Sequence, residues 1–255
     1  MKLIVNADDF GYDPGINGGI VHAFQNGIVT STTLMANQPY TGEAAELALQ
    51  NPKLGVGLHV NLTRGEPISP AGEVRGLLNE AGFFMEPDHF YQQDIKEEEV
   101  SREIQAQLDR IHELKIKPTH MDAHHHLQFH PVVLEVLIKM ANEYGIPLRH
   151  VDHNTLTRFR KENIPTPDIF VEEFFGEGAT LDNLIFMLTE INKRSPGGTV
   201  EVMCHPGFMN DFSAESSYRD SRRKELEILC SPEIKNVIHR LDIQLISYNN
   251  LKRNF

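Results

Sequence analysis

The sequence predicts an α/β fold in which seven or eight strands alternate with helices, closed as a barrel or open as a sheet. Short aliphatic and β-branched runs recur along the 255 residues, separated by amphipathic stretches that Gly and Pro bound. Four of these runs end in chemistry-bearing residues: Asp8-Asp9, His59 with Asn61, Asp122 to His126, and Cys204-His205. Polar groups at the exits of several strands describe an α/β site, where function gathers at the C-terminal strand edge. No composition break divides the chain, so one domain over 1–255 is expected.

The elements follow in order. Residues 2–7 form a first strand, and Asp13 caps the helix that Pro14 opens, with Ile16, Ile20 and Phe24 on one face. Residues 30–36 read as a second strand and 43–49 as a short helix. In the third strand, 54–62, Leu58, Val60 and Leu62 alternate with His59 and Asn61, which puts the two polar side chains on one face. Periodicity then disappears from about 63 to 96, where Gly and Pro alternate with Leu77, Phe83, Phe84 and Tyr91. An insertion of that length is expected to be a binding loop or lid, the alternatives being a poorly ordered surface excursion or an oligomer contact. Val100, Ile104, Leu108 and Ile111 mark the buried stripe of a helix over 97–114. A strand over 119–122 leads into His124-His125-His126; where that run is extended, His124 and His126 share a face and His125 points elsewhere. His130 precedes a helix that Pro131 opens, Gly145 stops it, and 146–149 resumes as a short strand. Residues 151–178 carry little pattern beyond a strand at 169–175. Thr180 caps a further helix, 199–204 is a strand, 216–229 and the stretch from Pro232 are helices, and 243–248 closes the sequence as a strand.

Composition excludes some partners. The 36 acidic residues against 24 Lys plus Arg give −12, which argues against a nucleic-acid partner. No apolar run of membrane-spanning length occurs, and no signal peptide is visible, so a cytoplasmic protein without a membrane partner is expected. Cys204 and Cys230 lack metal-type spacing and read as incidental.

Asp9, His59 and His124 make a coherent ligand set for a divalent cation that keeps positions open for water and substrate. Asp122 is placed to fix the tautomer of a ligand imidazole. Asp8, beside the bound water, is the candidate base, and His205 the candidate group for protonating a leaving group or stabilising an oxyanion. The ordinary alternatives are a solvated Asp-Asp corner and satisfied core histidines. No G-x-S-x-G elbow points to a serine nucleophile, and Cys204 and His205, adjacent on a strand, face opposite ways.

Five segments resemble the YdjC-like carbohydrate deacetylases: VNADDFG (5–11), NGIVTSTTLM (26–35), GLHVNLT (57–63), KPTHMDAHHH (117–126) and MCHPGF (203–208). Their order and spacing cover nearly the whole chain. The resemblance implies a single TIM-like β/α barrel of the deacetylase type. It also implies removal of an acetyl group from an N-acetylated sugar or short oligosaccharide, such as a chito-oligosaccharide. It implies Asp9, His59 and His124 as metal ligands, Asp8 as base, His205 in the catalytic pocket, Mg²⁺ as the ion and a homodimer. Zn²⁺ suits the donor set better in ligand softness. Gln128 departs from the pattern, since relatives often carry another His there. Asn61, His126 and Arg149 are expected to contact the sugar, with Phe83 or Tyr91 as aromatic neighbours. Rival expectations are another two-His-one-carboxylate enzyme such as an oxygenase, and a non-catalytic sugar-binding protein.

Overall fold

The chain enters the core on β1 (Lys2–Phe10), an apolar strand buried at every residue after Lys2. In the computed structural model, which describes residues 1–208 and 218–251, every strand pairing is parallel and the strands form one curled sheet. After β1 come α1 (Pro14–Asn26), β2 (Ser31–Leu34), α2 (Thr41–Gln50) and β3 (Gly55–Val60). Then follow α3 (Pro87–Phe90), α4 (Glu97–Glu113), β4 (Met121–Ala123), α5 (Pro131–Tyr144) and α6 (His153–Lys161). β5 (Ile169–Val171), α7 (Leu181–Arg194), β6 (Thr199–Cys204), α8 (Arg219–Cys230), α9 (Pro232–Arg240) and β7 (Gln244–Leu245) complete the order. The predicted start of the α8 helix at Ser216 lies outside the described residues.

The sheet runs β4-β3-β2-β1-β6-β5, and β7 pairs with the start of β1. Parallel strands joined by helices seal both faces of the sheet, which is why β1, β2 and β3 are buried throughout instead of alternating. The stretch expected as an eighth strand contributes a single parallel bridge, Met121 to Leu148. Leu148 N–H donates onward to Pro165 O at 3.0 Å, so backbone pairing continues round from β4 toward the segment that enters β5. The barrel is therefore distorted, a curled half-barrel with an irregular closing side.

The helix starts follow local chemistry. Asp13 accepts from Ile16 N–H at 2.9 Å, Thr180 from Asn183 N–H at 3.2 Å and Ser231 from Ile234 N–H at 3.2 Å. Helix α6 has no counterpart in the sequence reading, although Asp152 and Thr155 form a reciprocal capping box at its start. Its stripe is short, with only Thr155 and Phe159 buried. The segment 63–96 buries Val74, Leu77, Phe84 and Phe90 in the main core. Buried Glu103 of α4 accepts from Ile68 and Ser69 N–H at 3.1 and 2.9 Å, which anchors the segment to that helix.

Two glycines permit close approaches, one between β3 and the residue that enters β4, the other between α1 and the segment that leaves β6. A Cβ on Gly57 would lie 2.6 Å from the His120 ring, and one on Gly19 would lie 2.5 Å from the backbone of Gly207. Gly57→Ala is expected to destabilise the fold by about 1–3 kcal/mol through overpacking, read by urea unfolding. Gly42→Ala, with open space around it, serves as the neutral control, and equal stability of the two variants would contradict this packing.

Candidate active site

Adjacent residues on a regular strand point to opposite faces, so Asp8 and Asp9 share a cavity only because β1 is irregular there. The β1–β2 register shifts between Ala7 and Phe10, and Asp9 adopts φ 70°, in the left-handed region. Both carboxylates line a cavity of about 670 Å³ together with His59, His124, His126 and His205. A non-glycine residue held at positive φ beside buried charge is strain that the surrounding contacts must enforce.

Those contacts begin with Arg149. Its Nη1 and Nη2 grip both Asp8 oxygens at 2.7 Å, Nη1 reaches Asp122 at 2.9 Å, and Nε donates to Glu201 at 2.8 Å. Tyr248 O–H donates to the other Glu201 oxygen. The Arg149 side chain is fully buried and absent from the cavity wall, so the expected sugar contact is corrected: Arg149 positions carboxylates. Burial opposes the Asp8 charge, and the Arg149 guanidinium overcomes that cost and holds the carboxyl well below the usual range.

Asn61 is corrected for a related reason. Strand β3 stops at Val60, and Asn61 turns into the fold, donating to Asn37 Oδ1 at 2.8 Å and Arg64 O at 2.7 Å while its oxygen accepts from Thr63 N–H. It ties the start of the 63–96 segment and does not line the cavity.

His59 sits between two carboxylates. Its Nδ1 is 2.7 Å from Asp122 Oδ1 and its Nε2 is 3.5 Å from Asp9 Oδ1. Asp122 is held in turn by Thr33 Oγ1 at 3.0 Å. Burial opposes charging His59, but Asp122, Asp9 and Asp8 push its pKa up to about 10. The Asp9 Oδ2 oxygen pairs with Arg222, whereas buried Oδ1 has no hydrogen-bond partner among the described residues. Burial and Arg222 act oppositely on Asp9, and its pKa stays well below the carboxylate range.

The histidine run is not extended. Residues His124–Phe129 form a tight 3₁₀ turn in which His125 and His126 have φ of 55° and 53°. This folds the His124 ring onto that of His125, with centroids 3.7 Å apart, and both Nδ1 atoms meet Thr63 Oγ1 at 3.0 and 3.1 Å. The His124 and His59 rings lie 5.5 Å apart. His126 points to the cavity mouth, where its Nε2 is 3.6 Å from Glu172. Phe83 and Tyr91 are exposed but lie off the cavity wall, although Tyr91 O–H donates to His126 O at 3.1 Å.

His205 stands 4.0 Å from Asp8 Oδ2 by its Nε2, and its buried Nδ1 has no hydrogen-bond partner among the described residues. Burial lowers its pKa to about 4, so the ring is neutral at neutral pH. Its backbone N–H donates to Glu225, a buried side chain of α8. Arg222, Glu225 and Tyr218 were missed in the sequence, since a charged helix reads as a solvated face and nothing local shows that it packs on the strand exits. Tyr12, Arg64, Glu172 and Phe175 were also missed as cavity-wall residues.

Asp8, His59 and Asp122 bring one ligand atom each within 4.8 Å of the others, close enough for a metal ion. Yet Arg149 already occupies both Asp8 oxygens and one of Asp122, and His59 Nδ1 occupies the other. A cation there would have to compete with a buried guanidinium. Less tightly engaged are Asp9 Oδ1 and His59 Nε2, 3.5 Å apart.

A curled parallel β/α barrel with a carboxylate–histidine cavity at its strand exits defines the class. The chain belongs to the YdjC-like protein family, whose sequence profile matches residues 2–240. Curated relatives include a carbohydrate deacetylase of Geobacillus stearothermophilus, 41% identical over 246 residues and 96% of each chain. Another, of Brevibacillus brevis, is 39% identical over 98% of this chain and 100% of its own. A crystal structure from Enterococcus faecalis V583, of a protein described provisionally as a cellobiose-phosphate cleavage protein, superposes with a TM-score of 0.91 at 34% identity, covering 97% of both chains. A family 4 carbohydrate esterase from Streptomyces lividans shares the fold alone, with a TM-score of 0.55 at 14% identity and coverage of 99% and 96%.

Arg149→Met is expected to cost about 3–5 kcal/mol, because it strands three buried acidic groups, measured by denaturant unfolding. A loss under about 1 kcal/mol would remove Arg149 from its central place. His120, stacked on Tyr248 at 3.7 Å and bonded to Asn6 at 3.0 Å, has its pKa lowered by burial to about 3. An unfolded His binds its proton near 6.5, so the stability this ring contributes is whole above that pH and drains away as pH falls toward 3. Ring ¹⁵N shifts at pH 5 should remain those of neutral imidazole, and titration near 6.5 would refute this.

Proposed function

We propose that the protein is a metal-dependent carbohydrate deacetylase, hydrolysing the N-acetyl group of an acetylated mono- or oligosaccharide. The observation that carries this reading is the buried Asp9 Oδ1, which has no hydrogen-bond partner among the described residues and faces His59 Nε2 at 3.5 Å, in the cavity that also holds Asp8 and His205. The activity named for the full-length relatives supports it.

In this reading Asp9, His59 and His124 would hold a divalent cation, Asp9 Oδ1 and His59 Nε2 lying 3.5 Å apart and the His59 and His124 rings 5.5 Å apart. Asp122 binds His59 Nδ1 and Thr63 binds His124 Nδ1, so the second nitrogen of each imidazole would face a metal, His59 giving up to solvent the Nε2 proton that its carboxylate neighbours otherwise hold on it. Such an ion supplies Lewis acidity, lowering the pKa of bound water and polarising an acetyl carbonyl; the family resemblance suggests Mg²⁺ and the donor set suits Zn²⁺.

The chain's own groups handle the protons. Arg149 keeps Asp8 ionised and fixed, ready to orient the attacking water and take its proton. Asp8 Oδ2 lies 4.0 Å from His205 Nε2, so the proton has a short path to that ring. Burial makes protonated His205 a strong acid, which hands the proton to the departing sugar amine. His126 and Glu172 at the mouth offer hydrogen bonds to sugar hydroxyls.

Acetate release from short N-acetylglucosamine oligomers, assayed with and without oxygen, tests the reaction class. Oxygen-independent release is expected, whereas an oxygen-dependent product would make this an oxygenase and sugar binding without turnover a binding protein. Asp9→Asn should lose metal content. Asp8→Asn should keep it while turnover falls by about 10²-fold or more. Equal metal loss in the two variants would overturn this division of roles.

A further inference from the structure

Phe175 follows β5 and is 46% exposed, high for a phenyl group in a cavity wall. One face is covered by the Tyr218 ring, 4.3 Å away and tilted by only 10°. Its ring also meets His205 edge-on at 5.2 Å. The backing is fixed at three points. Tyr218 O–H donates to Glu225 Oε1 at 2.5 Å and accepts from Gly176 N–H at 2.7 Å, and Glu225 Oε2 accepts the backbone N–H of His205 at 2.5 Å. The phenyl ring is thus tied, through one buried carboxyl, to the residue that handles the leaving-group proton.

We propose that the exposed face of Phe175 is a stacking platform for a pyranose ring of the substrate. A pyranose chair turns axial C–H groups to one face and hydroxyls to its rim. That face suits the electron-rich face of an aromatic ring. The rim suits polar groups at the border, here Glu172 and His126, 3.6 Å apart at the same cavity mouth. An acyclic amide has no such face to offer, so the platform selects for a ring next to the scissile bond. Because Tyr218 and Glu225 pre-set the phenyl plane, little ordering is left for the substrate to impose. The proposal deepens the deacetylase reading and rests on it for the chemistry.

The test is equilibrium binding of an N-acetylglucosamine disaccharide, and of acetate as a ringless control, to the metal-free protein by calorimetry. Phe175→Ala should weaken disaccharide binding about tenfold and change acetate binding by less than about twofold. Phe175→Tyr should stay near the wild type, and Phe175→Leu, with apolar bulk but no planar face, should fall between. The platform is overturned if Phe175→Ala binds the disaccharide like the wild type, if Phe175→Tyr loses as much as Phe175→Ala, or if disaccharide and acetate weaken together. Phe175-dependent sugar binding by a metal-loaded wild type that releases no acetate would uphold the platform and overturn the deacetylase reading.

Discussion

The site depends on one buried cation, the Arg149 guanidinium. Strands β1, β4 and β6 each bring a carboxyl group to the middle of the sheet, as Asp8, Asp122 and Glu201, and Arg149 meets all three. Without it they would face one another in a poorly solvated interior, where unpaired charge is costly. A planar guanidinium can grip Asp8 with two nitrogens and still reach its other partners, which a lysine ammonium cannot do in one geometry. Three segments far apart in sequence are therefore locked in register by a single side chain.

Around that lock, the charges are arranged so that one set is satisfied and another is left open. Asp8 and Asp122 have both oxygens engaged by Arg149, Thr33 and His59, with Asp8 Oδ2 keeping room for one further donor, while Asp9 has only Oδ2 engaged, by Arg222. The bulge in β1 creates this difference. Left-handed Asp9 brings its carboxylate into the cavity beside Asp8 but beyond the reach of Arg149's pairing. Two neighbouring aspartates acquire separate environments, and separate roles follow from environment.

How much was legible in the sequence depends on the range of the interaction. The parallel α/β architecture could be read from alternating apolar runs, and Asp13-Pro14, Thr180 and Pro232 announced their helices by local capping chemistry. The contact between His59 and Asp122 had a sequence signal, because polar residues interrupt strands that should be apolar on both faces. Arg149 and Asn61 were misjudged because a polar residue at a strand end looks the same whether it faces a ligand or a buried partner. The histidine run looked extended since nothing local signals two left-handed residues in succession; the pull of Thr63 on His124 and His125 is tertiary. Arg222, Glu225 and Tyr218 come from the far side of the chain, and only packing reveals them.

The central claim is that the open carboxylate oxygen of Asp9 marks one cation site, shared with His59 and His124 and distinct from the Arg149-saturated group. Anomalous diffraction at the zinc or manganese edge, from crystals soaked in either ion, tests it most directly. The account predicts a single strong peak bonded to Asp9, His59 and His124. A peak seated instead among Asp8, His59 and Asp122, with Arg149 displaced, would contradict it.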